Sequence, residues 1–214
     1  GVLLAGVPGA PKAEVVIIGA GSVGTNACKM AGGMGANVTM LDVNLARLAY
    51  LDDIFGARIQ TLMSTDAMIE EAVSKADLVI GAVLIPGKAA PKLMKKAYLK
   101  YMKPGRVIVD VAVDQGGCCE TTKVTYHDDP IYVVDNVVHY CVGTMPGAVP
   151  RTSTIALTNA TLRYGLLIAE NGLEEACRKY PVLYSAVNTY AGKITYENVA
   201  LSFGLDYTDI QSVC

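Results

Sequence analysis

The chain has 214 residues, 52% of them hydrophobic and 18% charged, and a formal net charge of −2. That length holds one full α/β domain and a fragment of another, with apolar material for a core and a surplus suited to a further buried surface. The near-neutral charge argues against nucleic acid and anionic membrane as partners.

The apolar opening from Gly1 to Val7 is too short to span a bilayer and lacks the charged flank of a signal peptide. It reads as the tail of an element that begins upstream, so the sequence is expected to be part of a longer chain. Six cysteines, at positions 28, 118, 119, 141, 177 and 214, form no C-x-x-C pair. They read as reduced thiols, which suits a cytoplasmic protein. Adjacent cysteines such as Cys118 and Cys119 rarely bridge each other, and no second ligand pair supports a metal.

Glu14-Val15-Val16-Ile17-Ile18 is a short strand running straight into Gly19-Ala20-Gly21-Ser22-Val23-Gly24, with a helical pattern behind it. Strand, G-x-G-x-x-G turn and helix in that order are the mechanical context of a dinucleotide site. Gly19 permits the tight turn, Gly21 removes the Cβ that would keep backbone from a pyrophosphate, and Gly24 lets the helix pack closely on the sheet. Ser22 and Val23 open that helix, whose free N–H groups would face the phosphates. Val23, Ala27, Met30 and Met34 recur at helical spacing and are read as one of its faces.

Asn37 to Leu41 is a short buried strand closed by Asp42, which lies 18 residues beyond Gly24. That interval suits an acid that accepts hydrogen bonds from the adenosine ribose. A carboxylate there repels a 2′-phosphate, so NAD is expected ahead of NADP, with Arg47 placed to soften the repulsion. The alternative is a glycine turn without a cofactor, with Asp42 as a helix N-cap.

Strand and helix patterns then alternate: Ala57 to Met63, Asp66 to Lys75, Asp77 to Val83, Pro91 to Met102, and Arg106 to Val111 after a Lys103-Pro104-Gly105 stop. Ile131 to Val134 and Val137 to Val142 complete the sheet. The expected fold is α/β: a Rossmann-type doubly wound parallel sheet covered by helices on both faces, with a C-terminal helical tail. Met145 to Pro150 reads as a proline-flanked hinge, followed by a long helix from Thr152 to Asn171 and shorter ones at Leu173 to Lys179 and Asn198 to Phe203. This tail is read as having no sheet of its own. Residues 1–143 form the expected dinucleotide domain and 144–214 the helical segment.

Ligands of open parallel sheets bind beyond the carboxyl ends of the strands. Ser64 follows the third predicted strand, the apolar loop from Val83 and Leu84 to Gly87 the fourth, Asp114-Gln115-Gly116-Gly117 the fifth, and Val142 to Met145 the last. Asp114 is the catalytic candidate: a carboxylate there could orient a water or amine, stabilise a developing cation, or accept a proton. It reads equally as an Asx-turn or cap residue for the glycine loop. His127 and His139 read as structural, and Lys88, Lys92, Lys95, Lys96, Lys100 and Lys103 as a solvated face.

Four blocks, Val15 to Ala27, Ala76 to Gly87, Val109 to Cys118 and Met145 to Thr154, together resemble the alanine dehydrogenase family in order and spacing. The resemblance runs the length of the chain. It implies reversible oxidative deamination of L-alanine to pyruvate and ammonium with NAD, by a homo-oligomer, a hexamer or dimer. By the same resemblance Asp42 and Arg47 hold the adenosine ribose region, Ser64, Val83, Leu84, Val111, Val142 and Met145 line the cofactor, and Asp114 is the catalytic carboxylate beside the nicotinamide. The NAD-binding component of proton-translocating transhydrogenase shares the fold but typically has Glu-Asn where this chain has Asp114-Gln115. Thr144 departs from the family's usual Asn. The family's substrate-binding Arg and Lys and its catalytic His lie on an N-terminal domain that would precede Gly1. The resemblance therefore makes this chain the nucleotide half plus a segment, 144–214, that belongs with the substrate domain.

Overall fold

The computed structural model describes all 214 residues. Seven strands form one sheet: β1 (Glu14–Ile18), β2 (Asn37–Asp42), β3 (Ile59–Met63), β4 (Leu78–Gly81), β5 (Val107–Asp110), β6 (Ile131–Val134) and β7 (Val137–Tyr140). Their order is β3-β2-β1-β4-β5-β7-β6, so the winding reverses between β1 and β4, the switch point of a doubly wound sheet. Every neighbouring pair is parallel except the β6–β7 hairpin. Its turn residues, Asp135 and Asn136, both have positive φ, which short polar side chains tolerate.

The central strands are apolar on both faces because both are covered. On one side Val15, Ile17, Val38 and Met40 pack with α1 (Ser22–Gly33) and α2 (Leu45–Phe55). On the other, Val16, Ile18, Leu41, Val79 and Ile108 pack with α3 (Asp66–Lys75) and a 3-10 turn at Lys96–Tyr101. Asn44 and Thr65 cap α2 and α3, accepting from the backbone N–H groups of Arg47 and Met68.

Three local expectations need correction. The Pro91 to Met102 stretch is helical only as the 3-10 turn at its end. Met94 instead donates its N–H to Cys118 O and accepts from Glu120 N, which spends the backbone groups a helix would use. Residues before Ile59 in the third strand form a 3-10 turn at Gly56–Arg58. In α1, the stripe of Val23, Met30 and Met34 is exposed, and the helix is seated on the sheet by Gly24, Cys28 and Ala31. Small residues win that face because close helix–sheet approach leaves no room for methionine.

The chain divides into two compact units, residues 1–84 with 90–145, and residues 85–89 with 146–214. The second contains α4 (Pro150–Asn171), α5 (Leu173–Lys179), β8 (Thr189–Tyr190), β9 (Lys193–Ile194) and α6 (Glu197–Phe203). Contrary to the sequence reading, it has a small sheet: β8 and β9 pair antiparallel around Ala191 and Gly192. Its core is Ala176, Cys177, Leu183, Val187 and Ile210. The loop at 85–89 belongs to this unit, since Asn198 Nδ2 donates to Pro86 O and Ser202 Oγ to Gly87 O. No residue of α4 is buried. No helix is long and apolar enough to cross a membrane. All six cysteines are unpaired.

Candidate functional site

The parallel register brings the carboxyl ends of the strands to one edge. Ile18 pairs with Leu41 and Gly81, Asp42 with Met63, Gly81 with Asp110, and Val109 with Tyr140. The residues singled out from the sequence follow these positions directly, so Gly19 to Gly24, Asp42, Ser64, Val83, Leu84, Val111, Asp114, Val142 and Met145 share that edge.

At the β1–α1 turn, Gly19 has φ +105°, and a Cβ there would stand 2.7 Å from Ala82 O. Gly24 faces the carbonyl oxygen of Gly19, which a Cβ would overlap. Above Gly21, by contrast, a Cβ would meet nothing within 4 Å. The turn is thus packed tight from beneath and open above. Ser22 and exposed Val23 begin α1 at its rim.

Asp42 and Arg47 stiffen this turn. Asp42 Oδ2 accepts from Ala20 N at 2.6 Å, and Oδ1 accepts from Asn44 N at 2.8 Å. Arg47 donates from Nε to Ala20 O and from its terminal nitrogen to Thr25 Oγ1, both at 2.9 Å, and lies over the Tyr50 ring. Asp42 does not cap α2, because Asn44 does.

Further along the edge, Ser64 Oγ is buried without a hydrogen-bond partner. Val83 is half-buried and Leu84 exposed beyond β4, Val111 half-buried beyond β5, while Val142 is fully buried and Met145 half-buried. β7 ends at Tyr140, two residues before the expected limit, because Thr125 takes over the pairing, donating to Cys141 O and accepting from Gly143 N.

Asp114 lies in a 3-10 turn at Val111–Gln115, and its exposed carboxylate accepts from Thr144 N at 3.1 Å and 3.3 Å. The loop carrying it is anchored by Asp110, a fully buried carboxylate that the sequence reading passed over. Asp110 accepts from Ala112 N and Cys119 N, each at 3.1 Å, from the Cys118 thiol and from Thr122 Oγ1. The legible signal was an acid closing an apolar strand, a pattern it shares with Asp42. Lys92, exposed as expected, also donates to Gly116 O and Cys119 O of this loop, while Lys95 pairs with Asp66.

His139 is fully buried in a directional chain behind the loop. Its Nδ1 must donate to Val137 O at 3.0 Å, which leaves Nε2 to accept from Thr121 Oγ1 at 2.8 Å. Thr121 Oγ1 in turn lies 3.0 Å from the Cys119 thiol. Burial pushes the histidine below its ordinary pKa, outweighing Asp110 and Asp135, and pushes the Cys118 and Cys119 thiols up. These thiols are therefore poor nucleophiles. His127 is exposed and lies 3.3 Å from Thr144 O. No cluster of His, Cys, Asp and Glu could hold a metal ion.

Residues 1–197 match the family described as alanine dehydrogenase/PNT, C-terminal domain. Among curated relatives, an alanine dehydrogenase of Staphylococcus haemolyticus is 58% identical over 212 residues, 99% of this chain and 57% of the relative. Another from Methanococcus maripaludis is 58% identical over 97% of this chain and 56% of its own length. The chain thus spans a little over half the length of these relatives. Among solved structures, an L-alanine dehydrogenase superposes with a TM-score of 0.86 at 50% identity, covering 95% of this chain and 56% of that one.

Proposed function

Because the chain belongs to the alanine dehydrogenase/PNT C-terminal domain family, we propose that it is the nucleotide-binding part of an alanine dehydrogenase, interconverting L-alanine with pyruvate and ammonium, and that it uses NAD. The likeness to alanine dehydrogenases over 99% of this chain carries the reading.

The residues present fit a dinucleotide. The space above Gly21, where a Cβ would meet nothing within 4 Å, suits a pyrophosphate against the first turn of α1, held by Gly19, Gly21, Ser22, Val23 and Gly24. Ser64 Oγ, buried and unpartnered, has a hydrogen bond to offer a ligand. Val83, Leu84, Val111 and Met145 supply apolar cover along the same edge, with Val142, fully buried, packed behind them. The bound nicotinamide would take up the hydride that leaves the alanine Cα.

Asp42 supports NAD over NADP. Each of its oxygens accepts one backbone N–H and retains a lone pair for a ribose hydroxyl, whereas a 2′-phosphate would meet its charge. Arg47 is committed to the glycine turn and steadies it. Asp114 keeps lone pairs beyond those used by Thr144 N, enough to hold an amine or a water and to accept its proton. Residues 1–143 are then the nucleotide domain and 144–214 the segment that joins a substrate domain. The enzyme is a homo-oligomer, a hexamer or dimer, in the cytoplasm, in keeping with six unpaired thiols.

The test is NADH formation at 340 nm by the full-length protein given L-alanine and NAD. The reading fails if the protein binds NADH, leaves L-alanine untouched and passes hydride only to a partner protein, as a transhydrogenase subunit would.

A further inference from the structure

Four non-glycine residues have positive φ, and Thr144, at +55°, is the only β-branched one. Asp135, Asn136 and Ala191 sit in two-residue hairpin turns that demand that conformation. Thr144 sits in no hairpin. A β-branched residue stays in the left-handed region only where its surroundings over-determine it. Here the surroundings are specific: the pairing of Thr125 with Cys141 and Gly143 fixes the chain up to 143, and the turn then aims Thr144 N–H at the Asp114 carboxylate. Gly143 lies against the same carboxylate, since a Cβ there would stand in van der Waals contact with Asp114 Oδ1 at 3.4 Å. On the other side Thr144 O lies 3.3 Å from His127 Nε2, which must be the donor. These hydrogen bonds of Thr144 all come from its backbone.

We propose that Thr144 is a positioning residue for Asp114, acting through its left-handed backbone N–H and not through its hydroxyl. The strained turn holds the carboxylate at the strand-end edge, and the threonine side chain is tolerated there. This rests on the reading of Asp114 as the group that works on the substrate.

The experiment uses the full-length protein. Thr144→Pro removes the N–H and locks φ near −65°, so kcat should fall about 10-fold or more while KM for NAD changes less than about threefold. Thr144→Asn keeps the N–H and relaxes the strain. It should restore kcat to within about twofold of the parent and raise Tm by a few degrees. Thr144→Val, which keeps N–H and branching but lacks the hydroxyl, should follow the parent. Should Thr144→Pro not fold, hydrogen exchange decides. The Thr144 amide should be protected in the parent and lose protection about 10-fold or more in Asp114→Ala. A Thr144→Val protein as slow as Thr144→Pro, an active Thr144→Pro protein, or an unprotected Thr144 amide would overturn the proposal. A parent that does not oxidise L-alanine refutes the proposed function instead, and the exchange measurement still judges the contact.

Discussion

Gly21 and Gly24 differ in what a methyl group would meet, and the difference separates folding from ligand binding. On Gly24 a Cβ would overlap the Gly19 carbonyl oxygen, with the carbonyl carbon at 3.0 Å and Ile17 Cγ2 at 3.3 Å. Two of these atoms are backbone and Ile17 is fully buried, so relief requires α1 to lift from β1. Overpacking costs about 1–3 kcal/mol where side chains can yield, and a clash with backbone belongs at the upper end, about 3 kcal/mol. At 2–4 °C per kcal/mol for a domain of this size, Gly24→Ala should lower Tm by about 6–12 °C. Gly21 has φ −68° and ψ −167°, which alanine adopts freely, and open space beyond. Gly21→Ala should therefore change stability by under about 0.5 kcal/mol. Its methyl group would occupy the space left for the pyrophosphate, so NAD affinity should fall at least tenfold, about 1.4 kcal/mol. Thermal unfolding followed by circular dichroism reads the first quantity and calorimetric titration with NAD the second. A Gly21→Ala protein that binds NAD as the parent does would remove the phosphate from this turn, and a Gly24→Ala protein with the parent's Tm would show that the close approach is not needed.

Three further outcomes can be checked. Asp42→Ala should narrow an NAD-over-NADP preference of about 10- to 100-fold and, by stranding the buried Ala20 N–H, cost about 1–3 kcal/mol in urea unfolding; equal affinities in the parent would refute the role of Asp42. Asp114→Asn should lower kcat by about 100-fold with NAD affinity held, and near-normal turnover would make Asp114 structural. His139, neutral and buried, has a native pKa below its unfolded 6.5, so the unfolded chain binds the extra proton. Its contribution to stability is full above about pH 6.5 and shrinks as pH falls from there towards the native value. Denaturant unfolding of His139→Gln should show a flatter dependence between pH 5 and 7 than the parent, and an unchanged slope would place its origin elsewhere.

The β1–α1 turn was legible in sequence because the glycine spacing itself carries it: Gly24 is needed by the Gly19 carbonyl five residues back, while the atoms that crowd Gly19, those of Ala82 and Val83, lie far along the chain and left no local trace. The doubly wound parallel sheet followed from the alternation of strand and helix patterns, with no need for side-chain detail. Pro91 to Met102 misled because the competing partners of its backbone, Cys118 and Glu120, lie more than twenty residues on, beyond the reach of any periodicity. β8 and β9 are two residues each, too short for alternation to register. At the candidate site, Asp114 was visible as a strand-end acid, but its link to Thr144 spans 30 residues and runs through a backbone amide, to which residue type is nearly blind. The Thr-for-Asn departure was visible and its positive φ was not.

Asp42, Asp110 and Asp114 arise from one sequence pattern, an acid at or just beyond the end of an apolar strand, and burial sorts them into different work. Asp110 is fully buried with donors at both oxygens, so its lone pairs are largely spent on the loop and no substrate reaches it. Asp42 is half-buried and accepts one N–H on each oxygen, which fixes its direction and leaves each oxygen able to accept again. Asp114 is exposed and shares a single N–H between its oxygens. Only the last combines a defined orientation with room for a reacting group to approach and exchange a proton. The order follows from the chain itself. Asp110 closes β5 and turns inward because Cys119 and Thr122 return to it. The residues between form the 3-10 turn Val111–Gln115, in which Ala112 and Val113 are buried and Asp114 is exposed. The buried carboxylate thus sets where the exposed one can stand. Replacing Asp110 should consequently disturb Asp114 and the fold together, whereas replacing Asp114 should leave the loop in place.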